Sequence, residues 1–434
     1  MKNLSSKRTK MATVWAFLML FLATATRDKS YALLNPKNEI TVNLPFIIDS
    51  LCVVRDPGHT LQHFYDNLDS LRNGKDTIIN IIHIGDSHIQ AGFLSGKTMR
   101  LLQDTFGNAG RGWISPLKLS GSNEPNDYFI TSGIKNFISG TCIQKNPKCS
   151  WGIGGVGIES AAEKIDLGVM ITPRNGAGYE FDKALLFRDI NSKPLFPESD
   201  IDYCQADSSF ENILVDTFIC NGLISNLYIQ SLETDTSSVP GIYYGFLPTN
   251  GRAGILYHAL GINGARFSDF TNRKYIRQLS LLNPALIIVS LGTNESFGKN
   301  FDKSEFERQI DAFVSLIDQE LSNTSILLTT PAETYKRERL KGKRIYVRNE
   351  NSAKAAEVIA SYSDKSGIAC WDLFAASGGV NSCKNWWNAG LFAYDHIHFT
   401  QKGYEEQGKL LYKSLINSLN ESKNWGKEES PDVE

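Results

Sequence analysis

Four short apolar runs constrain the fold of this chain more than any other feature. They span residues 79–84, 285–291, 325–330 and 368–371, and segments with helical spacing of apolar residues separate them. Continuous apolar runs of this length indicate strands that are buried on both faces. Strands that alternate with helices form a parallel sheet covered by helices on both sides. We therefore expect an α/β fold.

The pattern changes in the middle of the chain. Helical spacing gives way to short alternating runs, such as residues 225–232, which Gly, Pro, Asn and Ser separate. Closely spaced short strands with turn signals are typical of a β-sandwich or jelly roll. We expect an α/β domain that is interrupted by an inserted all-β domain. The expected segments are 33–112 and 253–421 for the two parts of the α/β domain, 113–252 for the insertion, and 422–434 for a charged tail.

Residues 1–32 have the layout of a secretory signal peptide. Lys7, Arg8 and Lys10 precede an apolar stretch at residues 11–25, and small residues follow it. An uncleaved N-terminal anchor is the alternative, although the apolar stretch is short for a membrane span. Both interpretations predict that the folded part is extracytoplasmic, either periplasmic, on the cell surface or secreted. No other stretch is long and apolar enough to cross a bilayer, so we expect no stable membrane insertion after signal removal.

Composition excludes some partners and suggests a compartment. The chain has 45 basic and 47 acidic residues, and no basic stripe with interleaved aromatic residues of the kind that binds nucleic acid. Its seven cysteines fit an oxidising compartment and show no metal-ligand spacing. The sequence does not fix the disulfide connectivity. Proximity in sequence favours three disulfide pairs, with Cys52 unpaired. These pairs are Cys142/Cys149, Cys204/Cys220 and Cys370/Cys383.

Two strings carry the chemistry of a nucleophilic serine. Ser87, in Gly85-Asp86-Ser87-His88, lies on the turn that leaves the first apolar run, at the strand end where open α/β sheets bind their ligands. Asp395 stands three residues before His398. A serine hydroxyl needs a base to take its proton and a third group to orient that base. The two strings supply all three groups, while Asp86 is expected to fix the serine turn.

The ordered motifs resemble the four blocks of the GDSL-type, or SGNH, hydrolases. The resemblance rests on Ser87, on Gly264 in Gly-Ile-Asn-Gly-Ala, on Asn294 in Gly-Thr-Asn-Glu, and on His398. It covers about residues 33–112 and 255–420, and it implies a flavodoxin-like, three-layer α/β fold with a parallel sheet. The long insertion further resembles that of peptidoglycan O-acetylesterases, in which a carbohydrate-binding β-sandwich interrupts the catalytic domain. A histidine after the serine also suits that branch.

The resemblance implies a role for each residue. Ser87 would attack an ester carbonyl, His398 would act as the base, and Asp395 would orient the imidazole. The oxyanion hole would comprise the backbone N–H groups of Ser87 and Gly264 and the side-chain amide of Asn294. No cofactor and no metal are expected. A zinc site from the three histidines at positions 88, 396 and 398 matches no known ligand spacing.

Several further residues are candidates for the cleft wall. They are His88, Arg266, Tyr335, Arg344, Trp386 and Trp387. Adjacent tryptophans often serve amphipathic packing, but aromatic faces beside a cleft also suit a glycan ligand. The sequence leaves both interpretations open.

The expected function is hydrolysis of an O-acetyl ester on a glycan polymer, with O-acetylated peptidoglycan as the leading substrate. Acetylxylan or another polysaccharide, and an O-acetylated sialic acid, are alternatives within the same chemistry. Acetyl transfer to a sugar would use the same three groups. A glycan-binding surface protein without catalysis is an alternative from a different class.

Overall fold

The computed structural model describes residues 44–198, 200–232, 240–298 and 300–423. The predicted signal peptide at residues 1–32 lies outside these ranges, and so does most of the predicted charged tail. The last helix ends at Ser422, where we had placed the start of that tail. No helix in the described ranges is long and apolar enough to span a membrane.

A five-stranded parallel sheet forms the centre of the α/β part. Its strand order is β12-β1-β13-β14-β17, and every neighbouring pair is parallel. The strands are β1 (Ile78–Gly85), β12 (Gly254–Gly261), β13 (Pro284–Ser290), β14 (Ser325–Thr329) and β17 (Ala369–Trp371). All four predicted apolar runs are strands of this sheet. The fifth strand, β12, follows the inserted segment in sequence and pairs with β1 at the edge.

Helices cover both faces of the parallel sheet. Ile79 and Ile81 of β1 face one buried apolar cluster, and Ile82 and Ile84 face another. This alternation explains the continuous apolar run, because successive side chains point to opposite faces. Three helices pack on the first face and three on the second. The first three are α1 (Gln62–Arg72), α3 (Phe93–Phe106) and α11 (Gln401–Ser422); the second three are α5 (Arg273–Leu279), α7 (Lys303–Glu320) and α8 (Glu350–Ser366).

Short helices complete the α/β part, mostly near the ends of strands. They are α2 (Ser87–Gln90), α4 (Phe267–Phe270), α6 (Thr293–Ser296), α9 (Leu373–Ala376) and α10 (Ser382–Asn388). Single 3-10 turns lie at Asp49–Leu51, Pro173–Asn175 and Ser280–Leu282. The three-layer α/β fold expected from the sequence is confirmed.

Two antiparallel sheets lie between β1 and β12 in the chain, and they fit an inserted β domain. A four-stranded sheet has the order β2-β5-β10-β7, and a six-stranded sheet has the order β3-β4-β11-β6-β9-β8. Val169 and Ile229 of the smaller sheet share one buried cluster with Leu186 and Phe218 of the larger sheet, as in a sandwich. The strands are β2 (Tyr128–Thr131), β3 (Ile138–Thr141), β4 (Val156–Ser160), β5 (Asp166–Ile171), β6 (Phe181–Asp189), β7 (Phe196–Pro197), β8 (Ile201–Cys204), β9 (Ile213–Ile224), β10 (Asn226–Gln230) and β11 (Gly241–Thr249).

A two-stranded hairpin, β15 (Tyr335–Leu340) and β16 (Lys343–Arg348), follows β14. We did not expect it, because its charged residues lack the apolar alternation of a half-buried strand. It forms a two-stranded sheet of its own.

The seven cysteines are free thiols, so the three expected disulfides do not form. In the β8–β9 ladder Cys204 stands opposite Thr217 and Cys220 opposite Ile201. This register separates the two cysteines by about 10 Å along the strands, whereas a disulfide needs Cα atoms within about 7 Å. Cys370 and Cys383 belong to different apolar clusters. Proximity in sequence was therefore a poor guide to pairing.

Candidate active site

Ser87 is placed by a sharp turn at the carboxyl end of β1. Gly85 ends the strand, and a Cβ atom there would lie 2.2 Å from Cγ1 of Ile89, so only glycine fits. Asp86 then caps α2, and its Oδ1 accepts a hydrogen bond from the His88 N–H at 2.9 Å. Ser87 is the first residue of that helix, and its side chain is partly exposed. The turn therefore presents the hydroxyl at the edge of the sheet.

Asp395 shapes the loop that carries His398. Its Oδ1 accepts the backbone N–H groups of Ile397 and His398, each at 2.9 Å. Its Oδ2 lies 2.6 Å from Nδ1 of His398. Burial disfavours the charged carboxylate, but the hydrogen bonds from the His398 side chain and from the two N–H groups outweigh it, and the pKa of Asp395 lies below its ordinary value.

The tertiary fold brings the Ser87 and His398 motifs together. Nε2 of His398 lies 2.8 Å from Oγ of Ser87, across 311 residues of sequence. A proton on Nδ1 that faces Asp395 leaves Nε2 as the acceptor for the serine hydroxyl. The three side chains form a hydrogen-bonded chain from carboxylate to imidazole to hydroxyl.

Gly264 and Asn294 lie with Ser87 and His398 in the wall of one cleft, whose volume is about 550 Å³. Gly264 has φ +81°, and neither its N–H nor that of Ser87 donates to another group in the described ranges. The Asn294 amide, in contrast, donates to Oδ2 of Asp86 at 3.1 Å and to the Ala265 carbonyl at 3.0 Å. The cleft is therefore lined by two backbone N–H groups that make no hydrogen bond to any described residue and by one side-chain amide that already donates two.

Two carboxyl groups behind the cleft have raised pKa values. Burial raises the pKa of Asp86 to about 7, and repulsion from Glu295 adds to this, while the hydrogen bond from the His88 N–H opposes it. Burial also raises the pKa of Glu295 to about 7, and its Oε1 accepts the Phe267 N–H at 2.9 Å. Both groups therefore change charge near neutral pH.

The sequence missed a polar network beside the cleft. Gln90 donates to Ser122 Oγ at 2.8 Å and to the Asn123 carbonyl at 2.7 Å, and its Oε1 accepts the Asn263 N–H at 2.7 Å. The network ties the segment after residue 112 to the turn that carries Gly264. Gln90 follows the serine by three residues, but its polar partners are too far away in sequence to predict.

The expected cleft residues lie elsewhere. None of His88, Arg266, Tyr335, Arg344, Trp386 and Trp387 lines the cleft that contains Ser87. Trp386 is only 1% exposed, and its indole N–H donates to the Ser377 carbonyl, so it is a core residue. Arg266 is exposed at the start of α4. Tyr335 and Trp387 surround His396 instead, with ring centroids 5.5 and 4.2 Å from its own.

His88 lies behind the site. Its Nδ1 is 2.9 Å from the Tyr404 hydroxyl, and its ring centroid is 5.2 Å from that of His398. Burial and the neighbouring His398 lower the pKa of His88 to about 3, so it is neutral. It lines a second, small cavity of about 30 Å³. Among the residues that the structure describes, no cluster of His, Cys, Asp and Glu side chains could hold a metal ion.

Comparison with known proteins gives a family match for the second half of the chain. Residues 240–406 match the model of the GDSL-like Lipase/Acylhydrolase family. The fold and this match define the class that the chain resembles, the GDSL-like acylhydrolases, which are ester-hydrolysing enzymes. No curated protein matches the chain.

A solved structure agrees in fold with most of the chain. The chain is similar to a peptidoglycan O-acetylesterase structure, with 23% identity and a TM-score of 0.69 over 85% of this chain and 99% of that chain. An acetyl esterase mutant with acetate ion and a family 3 carbohydrate esterase from Talaromyces cellulolyticus are each 12% identical, with TM-scores of 0.29. These two cover 40% and 38% of this chain, and 75% and 73% of their own.

Proposed function

We propose that this protein is an extracytoplasmic serine esterase that removes O-acetyl groups from a glycan, with O-acetylated peptidoglycan as its main substrate. The observation that carries the proposal is the hydrogen-bonded chain from Asp395 through His398 to Ser87. The proposed organisation is a catalytic domain at 33–112 and 253–421, an inserted β domain at 113–252 and a signal peptide at 1–32.

The reaction proceeds in two steps through an acetyl-enzyme. Ser87 Oγ bonds to the acetyl carbonyl carbon while its proton passes to His398 Nε2. The C–O bond to the sugar then breaks, and the same proton passes to the leaving sugar oxygen. Water gives a proton to His398 Nε2 and bonds to the acetyl carbon; the C–O bond to Ser87 then breaks, the proton passes from His398 to Ser87 Oγ, and acetate leaves. Asp395 stabilises the imidazolium in both steps.

The negative charge on the tetrahedral oxygen needs donors that are already in position. The unoccupied N–H groups of Ser87 and Gly264 supply two of them. The Asn294 amide is the third donor. One of its hydrogens, now bonded to Asp86 or to the Ala265 carbonyl, would be shared with the oxyanion. A residue with a side chain would be strained at the φ of +81° that Gly264 adopts. Glycine adopts this backbone conformation without strain, and its N–H can then face the cleft.

The substrate assignment rests on fold and on the proposed insertion. A structure that resembles this chain over 85% of its length is that of a peptidoglycan O-acetylesterase. A β-sandwich inserted into an esterase fits a polymeric carbohydrate better than a soluble small ester. Acetylxylan and sialate esters are the competing substrates.

Acetate release tests the proposal. Ser87→Ala should abolish release from O-acetylated peptidoglycan and from p-nitrophenyl acetate, while Ser268→Ala, an exposed serine on α4, should leave both unchanged. A fluorophosphonate probe should label the wild type and not Ser87→Ala. Full activity in Ser87→Ala would overturn the nucleophile, and no labelling of folded wild type would support a binding protein. Comparing peptidoglycan, acetylxylan and a sialate ester identifies the preferred polymer.

A further inference from the structure

The β15–β16 hairpin is strongly basic. Residues 336–348 contain seven lysines and arginines and a single acidic residue, Glu338. From Arg337 to Arg344 every residue is exposed. A short exposed hairpin gains little from burial, so this concentration of charge calls for an explanation other than packing.

The strand register sorts these charges onto two faces. Arg337 stands opposite Tyr346, Arg339 opposite Arg344, and Tyr335 opposite Arg348. Because side chains alternate along a strand and cross-strand partners share a face, all six residues lie on one face. Lys336 and Lys343 lie on the other face, where Lys336 pairs with Glu338 at 3.1 Å.

Three arginines on the first face have no acidic partner. Among the described residues, no carboxylate forms an ion pair with Arg337, Arg339 or Arg344, whereas Arg348 lies 3.7 Å from both Glu333 and Glu350. Arg339 and Arg344 are like charges directly opposite each other, which destabilises a hairpin. An anionic ligand would remove that repulsion.

This face is joined to the catalytic loop by aromatic rings. The His396 ring lies 4.0 Å from the Tyr346 ring and stacks on Trp387 at 4.2 Å. The Tyr335 N–H donates to the His396 carbonyl at 2.9 Å, so the hairpin is hydrogen-bonded to the residue next to Asp395. His396 has φ +58°, a strained conformation for a residue other than glycine, and the contacts of its ring and carbonyl maintain it.

We propose that Arg337, Arg339, Arg344, Tyr346, His396 and Trp387, here called the arginine–aromatic platform, bind a carboxylate-bearing stretch of the glycan whose acetyl ester lies at Ser87. Guanidinium groups present planar forks that match carboxylates. Aromatic faces offer flat apolar surface to sugar rings, and Trp387 is 37% exposed. The inference rests on the proposed function, and it specifies the substrate as an acidic polymer.

The test compares two triple variants of the full-length enzyme. Arg337→Gln/Arg339→Gln/Arg344→Gln removes three charges from the platform. Lys336→Gln/Lys341→Gln/Lys343→Gln removes three charges from the turn and the opposite face of the same hairpin, and serves as the matched control. The substrates are O-acetylated peptidoglycan, the same material with its carboxylates amidated, and p-nitrophenyl acetate.

The arginine variant should raise KM for native peptidoglycan about tenfold, an effect of roughly the size expected for three exposed charge-assisted contacts. Its kcat/KM for p-nitrophenyl acetate should stay within about twofold of wild type, and the lysine variant should resemble wild type throughout. Added salt should raise the wild-type KM more than that of the arginine variant, because salt screens exposed charges. Amidation should remove the difference between wild type and the arginine variant.

Any of three results would overturn the proposed platform. They are an equal rise in KM in both triple variants, an unchanged KM in the arginine variant, and a rise in KM of the arginine variant on amidated polymer as large as that on native polymer. Co-sedimentation with peptidoglycan stripped of acetyl groups measures binding without catalysis, so it tests the platform independently of the proposed function. Weaker sedimentation of the arginine variant than of wild type would support the platform even if Ser87→Ala retained activity.

Discussion

The Asn294 amide donates to the Asp86 carboxylate at 3.1 Å, so the residue next to the serine positions the expected side-chain donor of the oxyanion hole. Asp86 also accepts the His88 N–H that begins α2. One buried carboxyl group thus links the serine turn after β1 to the turn after β13. Neighbouring strands of the sheet are the reason that these two turns meet.

Removing the Asn294 amide should slow the chemical step. We expect Asn294→Ala to lower kcat for an acetyl ester about 100- to 1,000-fold, as is typical for one lost oxyanion donor, with little change in KM. Steady-state kinetics on p-nitrophenyl acetate measures the loss. Asn323→Ala, far from the cleft, is the control. A loss under tenfold would indicate that Ser87 and Gly264 suffice as donors and that Asn294 acts only in the turn.

Replacing the carboxylate of Asp395 should misorient the base. Asp395→Asn keeps an oxygen for the N–H groups of Ile397 and His398, but its amide cannot accept the Nδ1 proton. The imidazole would then favour the wrong tautomer, and we expect kcat to fall by about 10⁴-fold. The thermal midpoint should change little, which circular dichroism can check. Near-normal kcat in a folded variant would show that His398 needs no carboxylate.

The contribution of the Asp86 carboxyl group to stability should fall as pH rises from about 4 to 7. Asp86 has a folded pKa of about 7, above the value of about 4 expected in the unfolded chain, so the folded state binds more protons in this window. Asp86→Asn should remove this contribution, so that between about pH 4 and 7 the free energy of unfolding, measured by urea titration at several pH values, falls less or rises more with pH than it does in wild type. Asp318→Asn, an exposed carboxyl on α7, should retain the wild-type slope. An unchanged slope in Asp86→Asn would contradict the raised pKa.

Thiol chemistry tests the absence of disulfides. Cys204 is exposed, whereas the other six cysteines are buried, and burial raises the pKa of Cys52 and Cys149 to about 11. We expect one thiol to react rapidly with Ellman's reagent in the native enzyme and seven after unfolding without reductant. Cys204→Ser should remove the rapid phase. Fewer than seven thiols in the unfolded wild type would restore the disulfide interpretation.

Local pattern predicted much of the α/β part. The apolar runs at 79–84, 285–291 and 325–330 are central strands, because burial on both faces leaves a continuous apolar signature. The hairpin was not predicted, since none of its residues is buried and its strands carry no such signature. The disulfide pairs were wrong because strand register, and not distance in sequence, decides which cysteines face each other.

By itself the sequence predicted the α/β fold and the groups of the proposed chemistry: a serine on a strand-ending turn and a histidine with a carboxylate three residues before it. Only the tertiary structure decided where the cleft wall lies. It placed Trp386 in the core and His88 behind the site, and it brought Tyr346 of the hairpin against His396. The physical reason is that side-chain chemistry and apolar period are local properties, whereas burial and cross-strand contacts depend on how distant segments pack.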